Sequence, residues 1–460
     1  MIPLLPLKCA LAFIALASGV AASPSSRPNV LLVLAEDISP DLGCYGTPLV
    51  SSPAIDRFAR EGIRFTHCWT TGSACSPSRS ALMAGRYQTA IGAHHQRTRN
   101  RQPLPAGMRT ITEHLRDAGY YPAMIHEKRS SPGPTGDAGQ NKTDYNFATT
   151  RPFDGATWQD CRQHQPFFAQ ITLADTHKGG WGWTHPDASP SRVDPAKLKL
   201  PAYYPDHPVA RAEYAGYLDA IAVLDQSFAA VLQRLAREGL AENTVVLFMG
   251  DNGRGMFREK QYAYNESFHV PLLLRWPDRR AAGTVDARLI SAIDVSAAIL
   301  GLAGLDPAAL GLHGRDLLNP AVPERDHLVG ARDRMGMMID RMRAIRTRRY
   351  HYIRNFLPTI PYLQVSPYME AESPTWNLIP ALAARGALSP EAALFAAPVK
   401  PIEEFYDLHT DPDQVRNLAR DPAARAELRR HRALLDRWLA DYPDLGAVME
   451  DPLQSGYTYP

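Results

Sequence analysis

The chain has 460 residues, and its 50 Lys+Arg against 48 Asp+Glu leave a formal charge of +2. With 45% hydrophobic and 21% charged residues it reads as globular, which excludes a disordered chain. The near-neutral charge excludes a dedicated nucleic-acid binder, whose phosphate contacts need a basic excess.

The length suits one large domain plus a smaller one. Residues 1–22 read as a signal peptide. Lys8 is the only early charge, an apolar run follows from residue 10 to residue 20, and Val20-Ala21-Ala22 supplies the small residues a signal peptidase needs. That run is about half of what spans a bilayer. Cleavage near Ala22 predicts an exported chain, periplasmic or secreted, and no later stretch reads as a membrane span. Of the five cysteines (Cys9, Cys44, Cys68, Cys75 and Cys161), Cys9 leaves with the signal. The rest are too few for a disulfide scaffold and none forms a C-x-x-C zinc pair. Whether Cys44, Cys68 and Cys161 pair is left open, and at least one of the three must stay free.

Four apolar runs, residues 30–35, 121–125, 167–173 and 245–249, have the length and β-branched content of buried parallel strands. Helical patterns lie between them, at 55–59, at 111–118 before Gly119, and most clearly at 212–238. There Tyr214, Tyr217, Leu218, Ile221, Leu224, Phe228, Val231, Leu232 and Leu235 form one stripe, ended by Gly239. Such alternation predicts an α/β fold, a sheet covered on both faces by helices. Residues 130–140 read as a flexible loop. Beyond about residue 320, two strands at 343–346 and 350–354, a third at 405–408 and a helix at 423–439 predict a smaller α+β domain. An Ala-rich stretch at 380–398 reads as a surface helical excursion.

Polar clusters follow three of the strands: Glu36-Asp37, Asp175-Thr176-His177 and Asp251-Asn252-Gly253. Open α/β sheets bind ligands beyond the carboxyl ends of their strands, so these clusters point to one crevice. Glu36, Asp37, Asp251 and Asn252 are hard oxygen donors, the set that Ca²⁺ or Mg²⁺ prefers over zinc. Cys75-Ser76-Pro77-Ser78-Arg79 is the most specific stretch of the chain. Pro77 suits the first turn of a helix, which puts Cys75 at a helix N-terminus where N–H groups attract anions, with Arg79 one turn on. The plainer reading is a cysteine-capped helix with a solvent-facing arginine.

Cys75-Ser76-Pro77-Ser78-Arg79, continuing through Leu82 to Gly85-Arg86, closely resembles the type I sulfatase signature, and the resemblance covers nearly the whole chain after residue 27. Ala84 departs from it, where many members carry Thr. The resemblance implies an alkaline-phosphatase-like fold, a large mixed and mostly parallel sheet sandwiched by helices, with a catalytic domain over 27–320 and a C-terminal α+β subdomain over 321–460. It implies that a maturing, formylglycine-generating enzyme oxidises Cys75 to formylglycine, whose hydrated aldehyde is the nucleophile. It also implies one Ca²⁺ held by Glu36, Asp37, Asp251 and Asn252 together with the residue derived from Cys75; many members have Asp in place of Glu36.

Carried over residue by residue, Arg79, Lys142, His177 and Lys260 surround the sulfate. Lys142 lies in a Lys-Thr-Asp-Tyr-Asn-Phe segment where Asp144 stands in place of another His, and Lys128 is the competing candidate. His94 and His95 either line the substrate pocket or form an ordinary loop pair. Glu266 and His269 are expected to orient the Lys260 loop. The Glu36-Asp37-Ile38-Ser39 start, the Gly92-Ala93-His94-His95 loop, the Lys142 segment and residues 350–355 look like the heparan N-sulfatase (sulfamidase) branch, which cleaves N-sulfoglucosamine. The alternative is an O-sulfatase acting on another sulfated glycan or an aryl sulfate. Less favoured are a phosphomonoester or phosphonate hydrolase of the same superfamily and a non-catalytic sulfoglycan-binding homologue.

Overall fold

The computed structural model describes residues 27–128, 133–448 and 451. The expected signal segment lies outside these residues, as does part of the loop at 130–140. Seven strands, β1 (Asn29–Ala35), β2 (Ile63–Trp69), β3 (Tyr121–Ile125), β4 (Phe167–Leu173), β5 (Thr244–Gly250), β6 (His269–Arg275) and β7 (Thr284–Ser291), form one sheet in the order β3-β4-β1-β5-β6-β2-β7. Only β6 runs against the others. The four expected strands are β1, β3, β4 and β5. β2 and β7 lack an apolar run because they lie toward one side of the sheet and are only partly buried.

Alternation along the strands builds two cores. Leu31, Val33, Ala35, Ala169, Ile171, Val246 and Phe248 face one side, where the helix Pro208–Arg237 lays down Tyr217, Leu218, Ile221, Leu224, Phe228 and Val231. Val30, Leu32, Leu34, Phe168, Val245, Leu247 and Met249 face the other. There they meet Leu82 and Met83 of the helix Cys75–Ala84, Leu115 of Ile111–Asp117 and Ile299 of Ala292–Leu302. The helix Pro208–Arg237 is long and apolar enough to cross a membrane by length and composition alone. Most of it is buried in the fold, as expected of a core helix.

Strands β8 (Leu328–Arg332), β9 (Met342–Arg346), β10 (Tyr350–Asn355) and β11 (Glu403–Asp407) form a second, antiparallel sheet in the order β11-β10-β9-β8. The helix Arg425–Asp441 packs on it through Leu428, Leu434, Leu435 and Trp438. The stretch at 380–398 is a helical excursion whose residues are mostly exposed, as expected, and the buried Ala392 and Phe395 anchor it. One expectation changes. Residues 133–140 are tied down: Thr135 N–H donates to Asp175 Oδ1 at 2.8 Å and Gly136 N–H to Ser227 Oγ at 2.8 Å. Cys44, Cys68, Cys75 and Cys161 are all free.

Candidate active site

Strand register creates the site. Ala35 at the end of β1 is level with Leu173 of β4 and Gly250 of β5, so the next residues of all three strands emerge at one edge. Glu36 N–H donates to Leu173 O at 2.9 Å and Asp251 N–H to Ala35 O at 2.9 Å. Asp37 then turns with φ +50°, in the left-handed region that Asp tolerates better than most residues. Its N–H donates to Asp251 Oδ1 at 3.0 Å, and Asn252 Nδ2 donates to Asp37 Oδ1 at 2.9 Å.

Against this edge stands the helix Cys75–Ala84, with Cys75 as its first residue and every residue buried. Cys75 Sγ lies 3.6 Å from Asp37 Oδ1, and burial pushes its thiol pKa up to about 12. Ser76 N–H donates to Gln96 Oε1 at 3.1 Å, and Ser78 Oγ donates to the Asp251 carbonyl. Arg79 is not solvent-facing. Its Nε donates to Asp251 Oδ2 at 2.8 Å, its Nη1 to Thr172 Oγ1 and to Lys142 O, each at 3.2 Å, and its Nη2 lies 3.6 Å from Glu36 Oε1.

Three further cationic or imidazole groups arrive from separate loops. Lys142 Nζ donates to Glu36 Oε2, whereas Lys128 is exposed. Lys260 Nζ is buried 2.7 Å from Asp37 Oδ1. His177 Nε2 lies 3.8 Å from Glu36 Oε2 and 3.9 Å from Asp37 Oδ2. Burial works against charge on Lys260, but the adjoining Asp37 carboxylate outweighs it and holds the ammonium well above its ordinary pKa. Burial pulls His177 below the ordinary histidine value despite Asp37.

The oxygens suit a hard cation. Glu36 Oε1 and Asn252 Oδ1 are buried without a hydrogen-bond partner, and Asp37 and Asp251 face the same space. Among the described residues, the groups of ion-ligating side chains close enough to share one ion are Glu36–Cys75–His177 and Asp37–Cys75–Asp251, and both include Cys75. This donor set fits Ca²⁺ or Mg²⁺.

His94 and His95 are buried, with ring centroids 4.1 Å apart, and burial lowers both pKa values to about 3. His95 Nδ1 accepts from Arg334 N–H at 3.3 Å, so the pair packs toward the second sheet. Glu266 and His269 do not orient the Lys260 loop through their side chains. Glu266 Oε2 accepts from Gln414, and His269 Nε2 is 2.9 Å from Thr66 O. Ser267 Oγ, which donates to Glu259 O, holds that loop instead. Sequence reasoning missed Gln96 and Thr172, and it did not foresee that Asp144 forms a bidentate pair with Arg97 at 2.8 Å for both bonds. The one available signal was Thr172, a hydroxyl near the end of an apolar strand.

A strand-end crevice that joins hard oxygen donors to a buried thiol and four cationic or imidazole groups defines a hydrolase for anionic esters, built on an alkaline-phosphatase-like α/β fold. The family model described as Sulfatase matches residues 28–305, and this chain belongs to the sulfatase family. A second model, described as N-sulphoglucosamine sulphohydrolase, C-terminal, matches residues 253–361. An ulvan-active sulfatase of Formosa agariphila is 30% identical over 93% of this chain and 77% of its own length. The N-sulphoglucosamine sulphohydrolase of Homo sapiens is 25% identical over 90% of each. A solved 2-O GAG sulfatase shares the fold, with a TM-score of 0.62, 18% identity and coverage of 94% of this chain and 96% of that one. The chain is thus a sulfatase that resembles the sulfamidase branch.

Proposed function

We propose that this sulfatase acts on a carbohydrate, through a formylglycine derived from Cys75 and a Ca²⁺ ion, and that its substrate is N-sulfoglucosamine of heparan- or heparin-type glycans. The observation that carries the reading is the convergence of Glu36, Asp37, Asp251, Asn252, Arg79, Lys142, His177 and Lys260 around the buried Cys75 thiol.

Glu36, Asp37, Asp251 and Asn252 would hold the cation, with Mg²⁺ as the alternative, and residue 75 would border it. When present, formylglycine supplies a hydroxyl nucleophile and the divalent ion lowers that hydroxyl's pKa. The chain's own residues do the rest. Asp251 and Thr172 fix the Arg79 guanidinium, which with Lys142 offers N–H groups to the sulfuryl oxygens. Such preorganised donors are worth about 3–4 kcal/mol each in comparable sites. His177 Nε2 orients the sulfuryl group from the β4 side. Lys260 Nζ is placed to donate a proton to the leaving nitrogen or oxygen.

The substrate assignment rests on the match of residues 253–361 to the N-sulphoglucosamine sulphohydrolase C-terminal model. An O-sulfatase acting on another sulfated polysaccharide is the second reading, favoured by the higher identity to an ulvan-active relative. Sulfate release from N-sulfated and O-sulfated glucosamine, measured side by side, separates the two. Release from the O-sulfated sugar alone overturns the first reading.

We further propose a catalytic domain over residues 27–320 and a C-terminal subdomain over 321–460, supported by the two separate sheets. We also propose export through the segment at 1–22 and maturation by a formylglycine-generating enzyme, supported by the apolar run before Ala22 and the intact Cys75 motif.

A further inference from the structure

The helix Pro208–Arg237 carries Glu213 on an otherwise apolar face, buried at 6% exposure. A buried carboxylate is costly unless it is paired and hydrogen-bonded, and here all its bonds go to two other parts of the chain. Glu213 Oε1 accepts from Lys178 Nζ and from Ser373 Oγ at 2.9 Å, and Oε2 accepts from Thr375 N–H at 2.9 Å. Lys178 Nζ also donates to Glu372 O at 2.9 Å and stands 5.0 Å from the Trp183 ring. One buried pair therefore joins the turn that carries His177 to the segment 366–376 of the C-terminal region. The chain just before that segment is also braced, where Gln364 Nε2 donates to Ile339 O and Gln364 Oε1 accepts from Ile339 N–H, each at 3.0 Å.

What this clamp holds in place is Tyr368, on the short helix Pro367–Glu372. Its ring is partly exposed, with its centroid 5.6 Å from Lys260 Nζ. A partly exposed aromatic ring beside Lys260 has the chemistry of a platform for a sugar ring, apolar across its face.

We propose that Tyr368 is a substrate-contacting residue that walls the leaving-group side of the sulfate pocket by stacking on the saccharide ring, and that Glu213, through Lys178, is the positioning residue that holds it there. The inference rests on the sulfatase reading only for the name of that side of the pocket. The contact itself is tested without turnover.

The experiment uses full-length protein carrying Cys75→Ala, with binding of a sulfated glucosamine disaccharide and of inorganic sulfate measured by calorimetry. Adding Tyr368→Ala weakens the disaccharide about tenfold, and Tyr368→Phe recovers most of the loss. Inorganic sulfate, which has no ring to stack, stays within about twofold. Glu213→Gln, which keeps the shape of the side chain, weakens the disaccharide in the same sense, and its effect is not additive with Tyr368→Ala. Unchanged disaccharide affinity in Tyr368→Ala overturns the proposal, and so does equal loss of disaccharide and inorganic sulfate. A wild type that binds the disaccharide through Tyr368 yet releases no sulfate from it overturns the glucosamine substrate reading and leaves the contact standing.

Discussion

Arg79 Nε donates to Asp251 Oδ2 across 2.8 Å, although 172 residues separate them, and both side chains are almost wholly buried. The pair joins the Cys75 helix, one turn in from its start, to the residue after β5, so it sets where the helix N-terminus lies relative to the oxygens at the sheet edge. Removing one partner of a buried pair leaves the other charge unpaired. Arg79→Ala should therefore lose about 3–5 kcal/mol of stability in urea denaturation. Arg79→Lys keeps a charge but loses the fork to Asp251 and Thr172, and its kcat/KM for sulfate release should fall at least about 100-fold. A Lys variant as active as wild type would remove Arg79 from the sulfate-binding set.

Cys75→Ser changes one buried atom and should leave the melting temperature nearly unmoved while abolishing turnover. Intact-mass analysis of the peptide containing Cys75 from active protein should show the thiol replaced by an aldehyde. Active protein with an unmodified thiol, or near-normal turnover by the Ser variant, would exclude formylglycine chemistry.

Ca²⁺ added to chelator-treated protein should raise its melting temperature. An ion at about 100 times its Kd stabilises the folded chain by about 2.7 kcal/mol. Asn252→Ala removes a buried oxygen and the hydrogen bond to Asp37, so it should shrink the Ca²⁺-dependent shift. Identical melting curves with and without Ca²⁺ or Mg²⁺ would refute the metal assignment.

Gly253 follows the Asp-Asn pair where a Cβ would sit 1.7 Å from the Glu266 carbonyl oxygen and 2.7 Å from its carbon. Both obstacles are backbone and cannot rotate away. Gly253→Ala should cost about 1–3 kcal/mol or more from overpacking, displace Asn252 and weaken Ca²⁺ binding. Wild-type stability and Ca²⁺ response together would contradict this geometry.

Burial holds His94, His95 and His351 near pKa 3 and His269 and His313 near 4, against an ordinary 6.5. The unfolded chain binds protons at these sites that the folded chain refuses. Stability is therefore full above pH 6.5 and is lost as pH falls through the window toward 4, by about 1.4 kcal/mol per pH unit for each histidine. Urea midpoints measured across that window should fall for wild type and fall less steeply for His313→Gln. Parallel profiles for the two proteins would show that His313 is not held neutral.

The central strands were legible because burial on both faces leaves a continuous apolar run, as in residues 30–35 and 245–249. β2 was not: Arg64, Thr66 and His67 interrupt a strand that is only partly buried. Ala-rich composition pointed to the surface excursion near residue 390 but not to its anchor: Phe395 enters the core, because burial of one large aromatic ring depends on a partner surface elsewhere in the chain. The apolar content of the helix Pro208–Arg237 serves the sheet it covers.

The sequence by itself determined the chemistry of the site: a cysteine opening a helix, an arginine one turn on, and oxygen donors immediately after apolar strands. Each is a local feature, readable because strand ends and helix starts are written within a few residues. Only the tertiary structure decided the partners. Register between β1, β4 and β5 brings Glu36, His177 and Asp251 to one edge, Gln96 caps the N–H of Ser76, and Glu213 ties Lys178 to the segment bearing Tyr368. Those pairings join residues tens to hundreds of positions apart, and it is sheet register and core packing, rather than any local pattern, that set which of them meet.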